Sequence, residues 1–521
     1  MNPAIHALTQ PDKVAVVRPA TGERLTYRTL DERANRLAQL LRAEGLEVGD
    51  GVALFLENHL NYFDVVWACM RAGLYLTPIN THLAASEAAY IVDNCDAKVL
   101  IASAALPASA ELGRLSKGLK LNLAIGGAID GFDDYEAALA ASSADPLQQE
   151  HLGSMMIYSS GTTGRPKGIR RPLPNTDPKL GNPGMKLMAD LYKLSGESVY
   201  LSPAPLYHGA PIGMCSATIV AGGTVIMMDK FDAETALSLI DEQGVTHSQW
   251  VPTMFVRMLK LDPAVRAKFD LSTHRCAIHA AAPCPIEVKR QMIEWWGPIL
   301  EEYYSSTESA GMAAISSAEW LEHPGSVGRS QGLPFHICDE EGNEVPTGVP
   351  GLIYGEAITG LACAYHKDPE KTASSTHPTR PTWFTSGDIG YLDEDGYLYL
   401  TDRKAFMIIS GGVNIYPQQI EDALALHPKI ADVAVIGVPN PDLGEEVKAI
   451  VEPAPGVEPS DAVAQEILDF VHARLGRQLT PRSVDFVETL PRLPTGKLYK
   501  AALREKYWGQ TNATTALTAR V

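Results

Sequence analysis

Short apolar runs alternate with stretches of helical periodicity over the first half of the chain, and this alternation constrains the fold more than any other feature. GVALFLEN (51–58) reads as a buried strand, NYFDVVWACMRAG (61–73) as a helix stopped by glycine, and AKVLIAS (97–103) as another strand. Ahead of them Thr29-x-x-Glu32 has capping-box spacing, and Leu30, Ala34, Leu37 and Leu41 recur on one helical face before Gly45. The pattern resumes through GTVIMM (223–228), ETALSLIDEQG (234–244) and THSQWVP (246–252). Strands alternating with helices predict an α/β architecture with largely parallel sheets.

At 521 residues the chain is too long for one core, so two or three domains are expected. The texture changes late. In YLDEDGYLYLTDR (391–403) Asp395-Gly396 sits between alternating aromatic and apolar residues, a hairpin signal. Beyond it, NIYPQQIEDALALHP (414–428) reads as a short helix with Pro417 near its start. ADVAVIGVP (431–439) and EVKAIVEP (446–453) read as strands, and SDAVAQEILDFVHARLG (460–476) as an amphipathic helix through Ile467, Val471 and Leu475. These segments form a compact α+β unit of about a hundred residues, an ordinary domain size. The expected organisation is an N-terminal domain 1–402, a C-terminal domain 403–508 with its boundary near Asp402–Ala405, and a flexible polar tail 509–521.

The loop YSSGTTGRPKG (158–168) carries three glycines, four small hydroxyl residues and Lys167, and follows the apolar SMMIY (154–158), read as a short buried strand. Successive backbone N–H groups in such a loop make a nest for an anion, the hydroxyls add donors and the lysine adds a point charge. A Walker A loop would place Ser or Thr after the lysine, and Gly168 stands there. By composition alone the stretch suits a phosphate grip and a polar surface loop equally.

The formal net charge of −18 argues against nucleic-acid and anionic-membrane partners. Seven scattered cysteines without a C-x-x-C pair argue against a disulfide framework or a structural zinc site, and are expected to be buried small hydrophobes. The first residues lack the charged start and apolar run of a signal peptide, and no apolar run approaches the ~18 residues of a membrane helix, so a cytoplasmic protein without integral membrane association is expected.

Further motifs follow in order. YYSSTES (303–309) sets Thr307 beside Glu308, hard oxygen ligands of the kind Mg²⁺ takes when it rides on phosphates. TSGD…TDR (385–403) supplies Asp388, a natural partner for ribose hydroxyls, and Arg403. SGGVNIYP (410–417) is a second glycine loop, and PRLPTGKLYK (491–500) presents Lys497 in a turn-rich segment. Together these motifs resemble the adenylate-forming (ANL) superfamily, and within it the acyl- and aryl-CoA synthetases. The resemblance runs from PDKVAVV (11–17) to Lys497.

The resemblance implies an α/β large N-terminal part with β-sheets flanked by helices, plus a small mobile α+β C-terminal domain. It implies two steps. A carboxylate attacks the α-phosphate of ATP, giving acyl-adenylate and pyrophosphate; the small domain then rotates and the thiol of coenzyme A displaces AMP. Ser159, Ser160, Gly161, Thr162, Thr163 and Lys167 would hold the β- and γ-phosphates, Thr307 the α-phosphate, and Glu308 the Mg²⁺. Ala281, Ala282 and Pro283 match a small-residue segment beside the adenine, with Tyr303 and Tyr304 where a ring can stack on it. Asp388, assisted by Arg403, would take the ribose. Lys497 would bridge carboxylate and α-phosphate in the first step and swing away in the second, when Ser410, Gly411 and Gly412 line the pantetheine channel. His208, in LYHGAP, matches the mouth of the acyl site. Two residues past the motif arginine, where many relatives carry a charged hinge, stands Ala405, with Lys404 one position earlier.

Relatives that activate amino acids usually place an acid shortly after the LYHGAP position, and LYHGAPIGMC has none, so an unpaired ammonium would be costly there. Ile212, Met214, Trp250, Gly311 and Met312 match segments lining the acyl pocket, with Trp250 the leading candidate for a wall. The expected substrate is an apolar carboxylic acid, fatty, aromatic or alicyclic, with ATP and CoA as the other small-molecule partners, acted on by a monomer or homodimer. A carrier-protein phosphopantetheine is the alternative acceptor.

Overall fold

The helix predicted from the leucine spacing starts three residues before the predicted box. Thr26 is its N-cap, accepting the Thr29 N–H on its hydroxyl, and the helix runs Tyr27–Ala43. Thr29 therefore lies in the first turn rather than outside it, because Thr26 already has the extended backbone a cap needs. The predicted stripe is right: Leu30, Ala34, Leu37 and Leu41 are all fully buried.

The computed structural model describes residues 3–159, 166–174, 181–306, 308, 311–356, 364–403, 405–492 and 498–515, with the backbone alone at residue 159 and residues 509–515. The chain divides into two compact units. The first comprises 1–250, 262–278 and 363–373. Its six-stranded sheet has the order Asp133–Asp134, Leu121–Ile125, Ala97–Ser103, Gly51–Phe55, Tyr75–Pro78, Ser154–Met155, with every neighbour parallel. Gly51–Phe55 is buried at all five positions, as a central parallel strand covered on both faces must be. The helix Asn61–Ala72 and the strand Ala97–Ser103 stand where the sequence predicts them. A second layer pairs Val14–Arg18 with Thr224–Met227, and Val199–Ser202 with both Thr224–Met227 and His247–Trp250, again in parallel.

SMMIY is not one strand. Ser154–Met155 closes the parallel sheet, while Ile157–Ser159 joins a separate three-stranded antiparallel sheet with Lys167–Arg170 and Ala364–Tyr365. The buried Met156 lies between the two short strands and packs in the core beneath them.

The second unit comprises 251–261, 279–362 and 374–521. An antiparallel sheet runs Leu300–Ser305, Met312–Ser316, Ser326–Ser330, Leu398–Arg403, Asp388–Leu392, Gly351–Glu356, Phe335–Cys338. The predicted hairpin is present: Asp388–Leu392 pairs with Leu398–Arg403, and the Asp393 carboxylate accepts the N–H groups of Asp395 and Tyr397 across the turn. A second sheet pairs Ile430–Asn440 with Gly444–Pro453, flanked by Ile408–Ser410, Val413–Ile415 and Ser483–Phe486. The helices Pro417–Leu424 and Asp461–Leu475 cover it, burying Ile420, Leu424, Val463, Ile467 and Val471. The final helix, Lys500–Thr515, continues through 509–515, residues expected to be tail.

Cys69, Cys95, Cys215, Cys276 and Cys338 are buried free thiols and Cys284 is a half-buried one. Among the described residues no helix is long and apolar enough to cross a membrane.

Candidate active site

In the first unit the glycine loop joins two strands of a hairpin. Lys167 stands opposite Ser159, Gly168 opposite Tyr158 and Ile169 opposite Ile157, so both ends of the loop are held in register. Gly168 is required by close approach: a Cβ there would lie 2.6 Å from both Met156 Cε and Tyr158 Cζ. The Lys167 ammonium pairs with Asp368 at 2.8 Å, both side chains half-buried. That hydrogen bond, ahead of the Lys371 N–H, holds the Asp368 carboxyl below its ordinary pKa. Ser160, Gly161, Thr162 and Thr163 lie outside the described residues.

His208 precedes the helix Gly209–Val220, its ring 4.5 Å from that of Tyr207. Ile212 and Met214, on that helix, are core residues. Trp250 is 1% exposed. Its indole N–H donates to Ser248 Oγ, whose own hydroxyl proton is then left for His274 Nε2 at 2.7 Å. Phe231 meets the indole edge-on at 6.3 Å. The residue matched to a pocket wall is thus clamped by a polar chain inside the unit.

That chain has a consequence for pH. Burial holds the His274 pKa down to about 3 and that of the neighbouring His247 to about 4. The unfolded chain protonates both near 6.5, so between these values it binds more protons than the folded chain. Their contribution to stability is complete above about pH 6.5 and is lost as the pH falls toward 4 and below, by up to about 1.4 kcal/mol per pH unit for each histidine. Urea midpoints should drop between about pH 7 and 5, and drop less in a His274→Asn variant. Equal pH profiles in the two proteins would contradict this.

The second unit assembles the other group. Strand pairing sets Asp388 directly opposite Arg403. Arg403 Nε donates to Asp388 Oδ1 at 3.0 Å, while the hydroxyls of Tyr304 and Ser386 both donate to Oδ2 at 2.8 Å. Asp388 first, against opposing burial, and then Glu308 hold Arg403 above its ordinary pKa. Burial, reinforced by Asp388, pushes the Tyr304 phenol well above its usual value, so it stays a neutral donor.

The two tyrosines matched to adenine stacking cannot share that task. Adjacent strand residues point to opposite faces, and Tyr304 faces Asp388 and the Phe335 ring, 5.9 Å away. Ala281 is exposed and holds φ at +76°, a left-handed conformation rare for alanine, at the start of the Ala281-Ala282-Pro283 segment.

Ser410, Gly411, Gly412 and Val413 form a two-residue hairpin turn. Both glycines have positive φ, +58° and +81°, the signature of a type I′ turn. The backbone of this turn thus requires the two glycines on its own account. At the expected hinge, the Ala405 carbonyl accepts from Arg504 at 2.7 Å, and Asp402 Oδ2 accepts the Gln418 N–H at the start of the helix Pro417–Leu424. Thr307, Lys404 and Lys497 lie outside the described residues. Arg492 and Leu498, flanking 493–497, pair across a β-bridge, and Arg492 clasps Asp432.

Sequence reasoning missed Asp368, which is 201 positions from Lys167 and carries no local signal. Ser386 was legible in principle, two residues before Asp388 within TSGD.

Residues 4–360 match the AMP-binding enzyme family, and residues 419–497 match the AMP-binding enzyme C-terminal domain. The chain belongs to the AMP-binding enzymes. This AMP-binding enzyme is 34% identical to a feruloyl-CoA synthase from Amycolatopsis sp, over 97% of this chain and 98% of that one. It is 30% identical to the fatty acid–[acyl-carrier-protein] ligase ScoC from Streptomyces coeruleorubidus, over 98% and 96%. The solved structure of ATP-bound MatB from Rhodopseudomonas palustris superposes with a TM-score of 0.80 at 28% identity, covering 97% of this chain and 99% of that one. The expected architecture, a large α/β part with helix-flanked sheets and a smaller C-terminal domain, is therefore the one this AMP-binding enzyme has.

Proposed function

We propose that this chain is an ATP-dependent acid–CoA ligase. It converts an apolar carboxylic acid to its thioester through an acyl-adenylate, with release of pyrophosphate and AMP. The observation that carries the reading is the Asp388 carboxylate, held by Tyr304, Ser386 and Arg403 inside a chain of this family. A carboxylate oriented by three donors is preorganised for the vicinal hydroxyls of a ribose.

The reaction joins two anions, so the site must neutralise phosphate charge and hold the reactants in line. Lys167, at the end of the glycine loop, takes the terminal phosphates, and Thr307 and Lys497 the α-phosphate. Glu308 would hold the Mg²⁺ that rides on these phosphates, for which one carboxylate suffices. No general base is required, because the acid arrives ionised at neutral pH. Residues 403–508 act as the small domain, turning about the Arg403–Ala405 segment. Hinge residues need only absorb a φ/ψ change, which alanine does as well as a charged residue. Trp250 and His208 border the acyl group, and the turn at Ser410–Gly412 the thiol arm. A fatty or aromatic acid fits the apolar segment LYHGAPIGMC, and the named activities of the two relatives, feruloyl and fatty acyl, fall in that range.

ScoC's name specifies a carrier protein, so the acceptor has to be tested with the acid. Pyrophosphate release is measured with ATP, Mg²⁺ and fatty acids, benzoates, cinnamates and steroid acids, each with and without CoA. Release with one acid class and a CoA-dependent thioester is expected. Release without thioester would move the acceptor to a carrier protein, and no release with any acid would contradict the ligase reading.

A further inference from the structure

The ion pair between Lys167 and Asp368 has no place in the chemistry above. Its geometry is built from three sides. Tyr365 pairs with Ile169, and the His366 N–H donates to the Gly168 carbonyl at 2.8 Å, so the strand Ala364–Tyr365, which leads directly into Asp368, is the third beside the loop's own hairpin. His366 and Lys367 both grip the Asp96 carboxylate, at 3.2 and 2.6 Å, which fixes the segment from behind. Lys367 is held at φ +57°, a left-handed conformation that a lysine adopts only where its surroundings impose it, and the turn brings Asp368 to the ammonium. Asp368 Oδ1 also accepts the Lys371 N–H at 2.9 Å, which keeps the carboxylate in place whether or not Lys167 is bound to it.

We propose that Asp368 is the resident counter-anion of the phosphate loop, which polyphosphate displaces from Lys167 on arrival and which reclaims the lysine as pyrophosphate leaves. The inference rests on the reading of Lys167 as a phosphate ligand. The physics is competition. An ammonium is a compact point charge, and a phosphate oxygen brought to it meets the Asp368 carboxylate as a like charge at short range. Each ATP or pyrophosphate bound therefore costs the pre-existing pair. Both side chains are half-exposed, so the pair is modest and the competition is a tuning of affinity rather than a block. The gain is in turnover: pyrophosphate, which carries most of the charge of the ATP tail, would otherwise be held tightly by the loop after the first step.

The test compares wild type with Asp368→Asn, Asp368→Glu and Lys167→Ala. Calorimetric titration with ATP and with pyrophosphate is combined with steady-state rates. Asparagine keeps an oxygen for the Lys371 N–H and removes only the charge, so the fold should be retained. D368N is expected to bind pyrophosphate about two- to fivefold more tightly, the range a half-exposed ion pair can supply, with KM for ATP falling in step and kcat falling as product release slows. D368E should restore wild-type values in part. Unchanged or weaker pyrophosphate binding by D368N would overturn the proposal, since a merely structural aspartate would weaken both ligands when lost. K167A should weaken ATP binding. If it does so while D368N matches wild type, only the proposal fails. If K167A binds ATP as well as wild type, the reading of the loop fails with it.

Discussion

Lys497→Ala is expected to lower the rate of acyl-adenylate formation by about 10²–10³-fold, the usual cost of removing one charge-stabilising donor from a transition state. It should leave thioester formation from supplied acyl-adenylate near the wild-type rate. The asymmetry follows from the role assigned to this side chain. Only the first step brings a carboxylate against the α-phosphate, where an ammonium lying between two anions lowers the barrier. In the second step the leaving group is AMP and the nucleophile a thiol. The flanking structure suits this task. Leu498 packs into the cluster of Ala434, Ile436 and Val438, the Tyr499 N–H donates to the Pro491 carbonyl at 2.8 Å, and Arg492 is bound to Asp432 on the same sheet. The residue next to Lys497 is thus anchored on a rigid element, which is how a reactive group is delivered reproducibly. Pyrophosphate exchange and single-turnover thioester formation measure the two steps separately. Equal loss of both would refute the two-state role of the lysine.

Lys289→Met should cost about 3–5 kcal/mol of stability, more than any surface change in the chain, because it strands a buried carboxylate. Lys289 is fully buried on the helix Ile286–Trp296 and donates to Glu302 Oε2 at 2.6 Å. The Trp320 ring lies 4.9 Å from its ammonium, and His279 Nε2 is 3.5 Å from the same carboxylate oxygen. Burial raises the Glu302 pKa against the pull of Lys289, and it pushes the His279 pKa well below its ordinary value. His279 is therefore neutral, and Lys289 is the cation that balances Glu302. Glu302→Leu alone should be similarly costly. The double variant Lys289→Met, Glu302→Leu should lose much less than the sum, since an ion pair replaced by apolar groups leaves no charge unpaired. The urea midpoint reads all three. Single variants within about 1 kcal/mol of wild type would show that the pair does not hold the helix to the strand. The effect should also reach the site: Glu302 precedes Tyr303 and Tyr304 on the strand Leu300–Ser305, and Lys289 lies on the helix that follows the Ala281–Pro283 segment.

Local rules were legible wherever one interaction range decided the outcome. The Leu30–Leu41 stripe, the strand 97–103, the proline that opens the helix Pro417–Leu424 and the Asp395–Gly396 hairpin all depend on periodicity or on the φ preference of one residue. The misses occurred where neighbours competed. Thr26 took the cap that Thr29 was expected to hold, because either threonine can accept the N–H three residues on and only backbone geometry chooses between them. SMMIY split across two sheets because its apolar character says that it is buried but not against which strand.

By itself the sequence determined the chemistry that is possible: a glycine- and hydroxyl-rich loop ending in Lys167, the carboxylate of Asp388, the guanidinium of Arg403, and the order in which they come. These are properties of residue types and short spacings, set by covalent structure and local conformation. Only the tertiary structure decided who faces whom. Tyr304 turns its hydroxyl to Asp388 instead of offering its ring alongside Tyr303, and Lys167 meets Asp368 rather than solvent. Such pairings depend on strand register and on the packing of segments far apart in the chain. Their energies come from charge and hydrogen bonding at distances near 3 Å, which no local pattern encodes.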